Sequence, residues 1–401
     1  VLPDLAECLT LPPTFFQDPH AFYRSLNERG AFHPIVLHSG MRAWLVTGFD
    51  EAKEMLRHPG LRKDAHTVAG VAARSGAGRS AASTVSGGIT AHMLNSDPPR
   101  HTRLRRIATS AFTPARVAAL YPRVAKISDE LLNEMSIHDS VDLIEAYAAP
   151  IPITVICEML GIPTADRTIF RQWTNTVIDV IAGDPDNVAS ASRSLERYLH
   201  GLVDERRRKP QDDLISALLT AGDDADRLSD VELVSTVFLI LVAGHETTVN
   251  LIANSALTVL NGTVSVKQAL ELPEQLIEET LRYNGPVNVA TLRYAAVTIH
   301  AGTQTIVPGE VVLIALMAAN RDSRRFPDPD TFALDRNTRG HLAFGSGIHQ
   351  CLGASLARME TSVAIRQLFT RFPDTSLTGS ATEWRTSILI RGLTRLDVTL
   401  R

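Results

Sequence analysis

Between the capping signal Ser229-Asp230-Val231-Glu232 and the stop signal Asn261-Gly262, the chain runs for about 30 residues without a proline. As a helix that stretch spans roughly 45 Å, more than the diameter of a small domain. Its first half is apolar almost all round, so it belongs inside a large core or a membrane. The longest near-continuous apolar run in it, Leu233 to Gly244, has twelve residues. A membrane span needs roughly 20. The expectation is therefore a helix through the centre of a protein, with everything else packed around it.

Composition agrees with a large core. Of 401 residues, 44% are hydrophobic and 21% charged, which excludes a disordered chain. The balance of 40 Lys+Arg against 44 Asp+Glu argues against a nucleic-acid binder. Three scattered cysteines, Cys8, Cys157 and Cys351, cannot make a disulfide framework and suggest a reducing compartment. The first ten residues contain Pro3, Asp4 and Glu7, so no secretory leader is expected. These points read as a soluble, cytoplasmic protein.

Most of the remaining pattern is helical. Helices are expected from Asp18 to Gly30, Arg100 to about Ala111, Ala115–Met135, Ile153–Leu160, Ala165–Ile181, Asn187–Lys209, Pro273 to Asn284 and Leu352 to Phe372. Asp97 is expected to cap the second of these, with Pro98 at its first position. Ile35–His38 and Arg42–Thr47 around Ser39-Gly40 read as a hairpin, and Thr291–Ile299 and Thr305–Val307 as β pieces. Residues 1–11 read as an extended start. Of the 24 residues Thr67–Thr90, 15 are Gly, Ala or Ser, and the stretch reads equally as a flexible loop or a lid. The class is mainly α with small β-sheets, one domain over residues 1–401.

The strongest chemical signal is Phe344-Gly345-Ser346-Gly347-Ile348-His349-Gln350-Cys351-Leu352-Gly353, a lone cysteine among three glycines at the mouth of a helix. Glycine lets backbone approach a flat ligand. A helix N-terminus favours thiolate over thiol. A lone, buried thiolate suits one axial bond to haem iron. The plain alternative is a buried structural cysteine beside a glycine-rich turn.

This segment resembles the haem-binding loop of the cytochrome P450 family, FxxGxxxCxG, at every fixed position, and other segments follow the family's order from about Pro12 onward. The resemblance implies a single triangular, mainly α domain with the long central helix over haem b. Cys351 would be the thiolate ligand of the iron, with Phe344 and Ala243 against the cofactor. Glu279-Thr280-Leu281-Arg282 resembles the family's ExxR pair. That implies a buried architectural pair whose expected third partner is Arg336, ahead of His341. In the long helix, Ala243-Gly244-His245-Glu246-Thr247-Thr248 suggests a zinc site, but Val249 stands where H-E-x-x-H needs its second histidine. The segment instead resembles the family's (A/G)Gx(D/E)T stretch. Gly244 would open the helix ladder, Thr247 would hold a proton network, and Glu246 would relay protons from solvent.

His101 and Arg105, one turn apart, with Arg293 and His349, are implied ligands of the haem propionates. Arg103 and Arg106 read as surface cations or as part of a basic face for an acidic partner. Leu239, Val242, Val287, Asn288, Val289, Ile388 and Leu389 are the expected lining of an apolar substrate pocket, with Ser387 beside them.

The implied activity is a haem-thiolate monooxygenase that inserts one oxygen atom from O2 into a small apolar substrate, by hydroxylation or epoxidation, in bacterial secondary metabolism. No flavin or iron–sulfur motif is present, so a ferredoxin and ferredoxin reductase are expected as electron donors. A non-oxidising haem or ligand-binding protein of the same fold is the alternative, and the Glu246-Thr247 pair argues against it. A helical hydrolase is a further one, for which neither a G-x-S-x-G elbow nor a second metal histidine is found.

Overall fold

The computed structural model describes residues 7–64, 67, 70–71, 74–75, 85–178, 184–222, 226–379 and 382–401. Most of the segment read as loop or lid therefore lies outside the described residues. So do residues 1–6 and the end of the helix expected to reach Ile181.

The long helix runs Asp230–Leu260. Ser229 Oγ accepts from the Glu232 N–H at 3.3 Å and the Glu232 carboxylate accepts from the Ser229 N–H at 3.1 Å, closing the capping box. The helix is long and apolar enough to cross a membrane, but 78% of its most apolar window is buried inside the protein. Helices Pro150–Met159, Pro185–Arg208, Pro273–Asn284 and Ala354–Arg371 pack against it. Burial is interrupted in mid-helix at Val242, Ala243, Gly244 and Thr247, while residues on both sides keep it. A buried helix loses cover in its middle only where a cavity meets it.

Eleven strands occur among the described residues: β1 Leu9–Thr10, β2 Phe32–Val36, β3 Arg42–Val46, β4 Leu61–Arg62, β5 Ser140–Asp142, β6 Arg293–Ala295, β7 Ile299–Ala301, β8 Gln304–Ile306, β9 Val311–Ile314, β10 Ser376–Leu377 and β11 Asp397–Thr399. Six form one sheet in the order β1-β2-β3-β9-β6-β4, and β10-β11-β5 form a second. The expected hairpin is β2–β3, with Ile35 opposite Ala43. β9 inserts parallel to β3, Leu45 opposite Leu313, and this brings Arg293 on β6 beside Lys63 just past β4.

Three expectations need correction. The Ala115–Met135 pattern is two helices, Pro114–Ala119 and Tyr121–Met135, because Pro122 begins the second and ends the first. Asp97 does not cap Arg100–Ala111. Its carboxylate accepts from the N–H groups of Lys63 (3.0 Å) and Asp64 (3.1 Å) instead. The central helix is not broken at Gly244. Glycine is required there by close packing, since a Cβ would sit 3.0 Å from Ile156 Cδ1.

Candidate active site

A cavity of about 370 Å³ lies between the middle of the central helix and the Phe344–Gly353 loop. Ala243, Glu246 and Thr247 line one side; Phe344, His349 and Cys351 line the other. The loop is shaped by two left-handed glycines, Gly345 (φ +71°) and Gly347 (φ +78°). At Gly347 a Cβ would also meet Arg57 Cγ at 3.0 Å. The Cys351 N–H donates to the Phe344 carbonyl at 2.9 Å, folding the loop back so that the sulfur opens onto the cavity. Arg358 sits 4.5 Å from the centre of the Phe344 ring and is held by Glu278, which also takes His341 at 3.1 Å. Burial works to raise the Glu278 pKa, but these two partners outweigh it and bring it to about 2.

The helix following the cysteine begins at Ala354, with Gly353 as its N-cap. The Gly353 N–H, Arg105 and Arg358 all favour thiolate, yet burial prevails and pushes the Cys351 thiol up. Coordination to a metal ion would remove the thiol proton outright.

Lys63, His101, Arg105, Arg293 and His349 converge on one end of the cavity. The His101 and His349 rings lie 4.4 Å apart, edge to face. Burial, followed by the charges of Lys63, His101, Arg293 and Arg105, drives His349 down to about 2. Burial brings Arg293 to about 10 and Lys63 well below its ordinary value. The neighbouring carboxylate, Asp97, is engaged by backbone N–H groups. No side chain hydrogen-bonds to either ring nitrogen of the buried His101. Such a set calls for incoming acidic groups, and the two propionates of haem b fit it. Nothing in the sequence around Lys63 distinguishes it from a surface lysine, and sequence reasoning missed it.

Glu279 and Arg282 are fully buried, joined at 2.6 and 2.7 Å. Glu279 Oε1 also accepts from Arg336 Nε (3.1 Å) and the Ala333 N–H (3.0 Å). Arg282 donates on to the carbonyls of Asn320 and Pro329, tying its helix to the irregular segment that leads to the cysteine loop. On the opposite side of the cavity, Thr247 Oγ1 donates to the Ala243 carbonyl at 3.1 Å. Glu246 is met by Arg385. Arg103 and Arg106 are committed to Glu232 and Asp226.

The pocket wall is largely the expected one, with Leu239, Val242, Val287, Val289 and Leu389 lining the cavity. Asn288 and Ile388 do not line it. Asn288 accepts from the Tyr23 hydroxyl (2.7 Å) and donates to the Ile388 carbonyl (3.1 Å), a buried polar clasp that turns it away from the cavity. Ile388 is buried in the core under β2 and β9 with Tyr23 and Leu313. Ser387 accepts from the Ile390 N–H and caps the turn instead. Met93, Leu94 and Ile390 also line the cavity.

A helical body around one long buried helix, with a cysteine loop facing it across a carboxylate-seeking cavity, defines a haem-thiolate protein. A family model described as Cytochrome P450 matches residues 257–382. The chain is 43% identical to Cytochrome P450 107B1 of Saccharopolyspora erythraea, covering 99% of this chain and 98% of the relative. It is 40% identical to 6-deoxyerythronolide B hydroxylase of the same organism, covering 96% and 97%. Its fold is similar to the tirandamycin C-bound P450 monooxygenase TamI, with a TM-score of 0.90 and 40% identity over 98% of this chain and 100% of that one. The chain belongs to the cytochrome P450 family. It is a monooxygenase with haem b as its cofactor, served by external redox partners and acting on a small molecule.

Proposed function

We propose that this monooxygenase hydroxylates a polyketide of macrolactone size, RH + O2 + 2 e⁻ + 2 H⁺ → ROH + H2O, or with the same electrons and protons converts a C=C bond of it to an epoxide and water. The observation that carries the reading is that Cys351 and the Glu246-Thr247 pair line the same cavity from opposite sides. Bound through the Cys351 thiolate, haem b supplies oxygen activation, which thiolate ligation favours. Lys63, His101, Arg105, Arg293 and His349 hold its carboxylates, and Phe344 and Ala243 bound the space it fills. Glu246 and Thr247 hold and move the two protons. Thr247, bonded back to Ala243, keeps its hydroxyl at the cavity wall while the helix runs on unbroken. Glu279, Arg282 and Arg336 maintain the frame of the cysteine loop.

The wall formed by Met93, Leu94, Leu239, Val242, Val287 and Leu389 carries no charged group, which suits an apolar carbon skeleton. The proteins named above for 6-deoxyerythronolide B and tirandamycin C supply the polyketide class. In this reading residues 1–401 act as one domain in the cytoplasm, and a ferredoxin with its reductase delivers the electrons. A panel of macrolactones and linear polyketides, titrated into the loaded protein, tests it. A compound of the class should displace the water on the iron, seen as a spin-state shift, and return with one added oxygen by mass spectrometry. Binding confined to fatty acids or steroids would reject the substrate class.

A further inference from the structure

We propose that Arg385 positions Glu246 from the hairpin whose tip lines the substrate pocket. The inference rests on reading Glu246 as the proton donor. Glu246 is 5% exposed, and its carboxylate meets the Arg385 guanidinium from a segment 139 residues away.

The register of that segment explains the meeting. Trp384 bridges Leu393, and the Arg385 N–H donates to the Gly392 carbonyl at 2.9 Å, so residues 384–393 form a hairpin. Gly392 lies so close to the central helix that a Cβ there would fall 1.9 Å from Asn250 Oδ1. Asn250 stands one turn beyond Glu246 and donates to its carbonyl at 2.8 Å. The residue opposite Gly392 is thereby delivered to Glu246. The tip of the same hairpin, Leu389 and Ile390, lines the cavity, and Ile390 bridges Val287.

Three cations or titratable groups face Glu246 among the described residues. His245 Nε2 is 4.0 Å away on the same helix, Arg171 faces it from helix Arg167–Ile178, and Arg385 from the hairpin. His245 is kept neutral by burial, and its Nδ1–H donates to the Leu241 carbonyl at 2.9 Å. Arg171 is taken by Glu145 at 2.5 and 2.6 Å. Arg385 is the counter-ion left for Glu246. Its side chain, 28% exposed, also links the acid to solvent.

The test uses haem-loaded protein and needs no substrate. In substrate-free turnover with NADPH, a plant-type ferredoxin and its reductase, Arg385→Gln should divert more electrons to peroxide, and Arg385→Lys should return the yield towards wild type. Arg385→Gln should add nothing in a Glu246→Gln background. A wild-type peroxide yield in Arg385→Gln, or fully additive peroxide effects, would overturn the positioning role. A wild-type peroxide yield in Glu246→Gln would instead overturn the proton-donor reading. A crystal structure of Arg385→Gln, in which the Glu246 carboxylate should leave its position, would still decide whether Arg385 holds it.

Discussion

Glu279 and Arg282 face each other one helical turn apart with both side chains shut off from solvent, joined by two hydrogen bonds of 2.6 and 2.7 Å. The other guanidinium protons of Arg282 go to the carbonyls of Asn320, Pro329 and Thr331, and Glu279 Oε1 also takes Arg336 and the Ala333 N–H. Removing one charge leaves the others buried and uncompensated. Glu279→Gln should therefore destabilise the fold by about 3–5 kcal/mol. The loss should appear as a lower urea midpoint and weaker haem retention together. A stable variant that merely loses activity would show that the pair is not architectural.

The basic end of the cavity makes a pH prediction. His92, buried near Lys63 behind that end, is driven to about 3 and His349 to about 2, burial being the leading cause in both. In the unfolded chain histidines titrate near ~6.5. Below that value the unfolded state takes up protons that the fold refuses, so stability present at pH 7 falls as pH drops towards the folded values. Each such group contributes a slope of about 1.4 kcal/mol per pH unit. Carboxylates seated beside His349 let it charge, so the haem-loaded protein should lose less stability between pH 7 and 5 than the haem-free protein. His349→Phe should flatten the haem-free curve. Equal slopes for both forms would contradict this account of the cavity.

Thr247→Ala should leave the fold nearly unchanged, because the hydroxyl makes only a weak back-bond to Ala243, worth about 1 kcal/mol or less. Haem and substrate binding should persist while reducing equivalents pass to peroxide. Product formed per NADPH, measured beside peroxide, checks this. Undiminished coupling would remove Thr247 from the proton path.

Asn288 gives a prediction that separates packing from substrate contact. Asn288→Ala leaves the buried Tyr23 hydroxyl and Ile388 carbonyl without their partner, at a cost of about 1–3 kcal/mol. Affinity for a substrate that shifts the spin state should be unchanged when compared well below the unfolding temperature. A variant that binds substrate more weakly at full stability would return Asn288 to the pocket.

The elements legible in the sequence are those specified locally. Ser229 and Glu232 cap the central helix, Pro19 and Pro273 open two others, and Ser39-Gly40 turns the first hairpin. What the sequence conceals depends on segments that meet far along the chain. Helix Phe49–Arg57 is short, its N-cap Gly48 offers no side chain, and its Phe49 N–H is met instead by Asp322 from far along the chain. β9 lies beside β3 across more than 260 residues, and that insertion, with β6 and β4, places Lys63 against Arg293. Asn288 alternates with Val287 and Val289, so only the Tyr23 contact reveals which way it turns. Arg385 has no motif of its own. Its meaning comes from the register of a hairpin and a glycine packed on Asn250.

The central claim is that the Cys351 sulfur is the protein's bond to haem iron. The reduced protein exposed to carbon monoxide tests it most directly. The account predicts the red-shifted Soret band of a thiolate-ligated haem in the wild type and its loss in Cys351→His. A wild-type spectrum without that band, in protein that has taken up a full complement of haem, would contradict the claim.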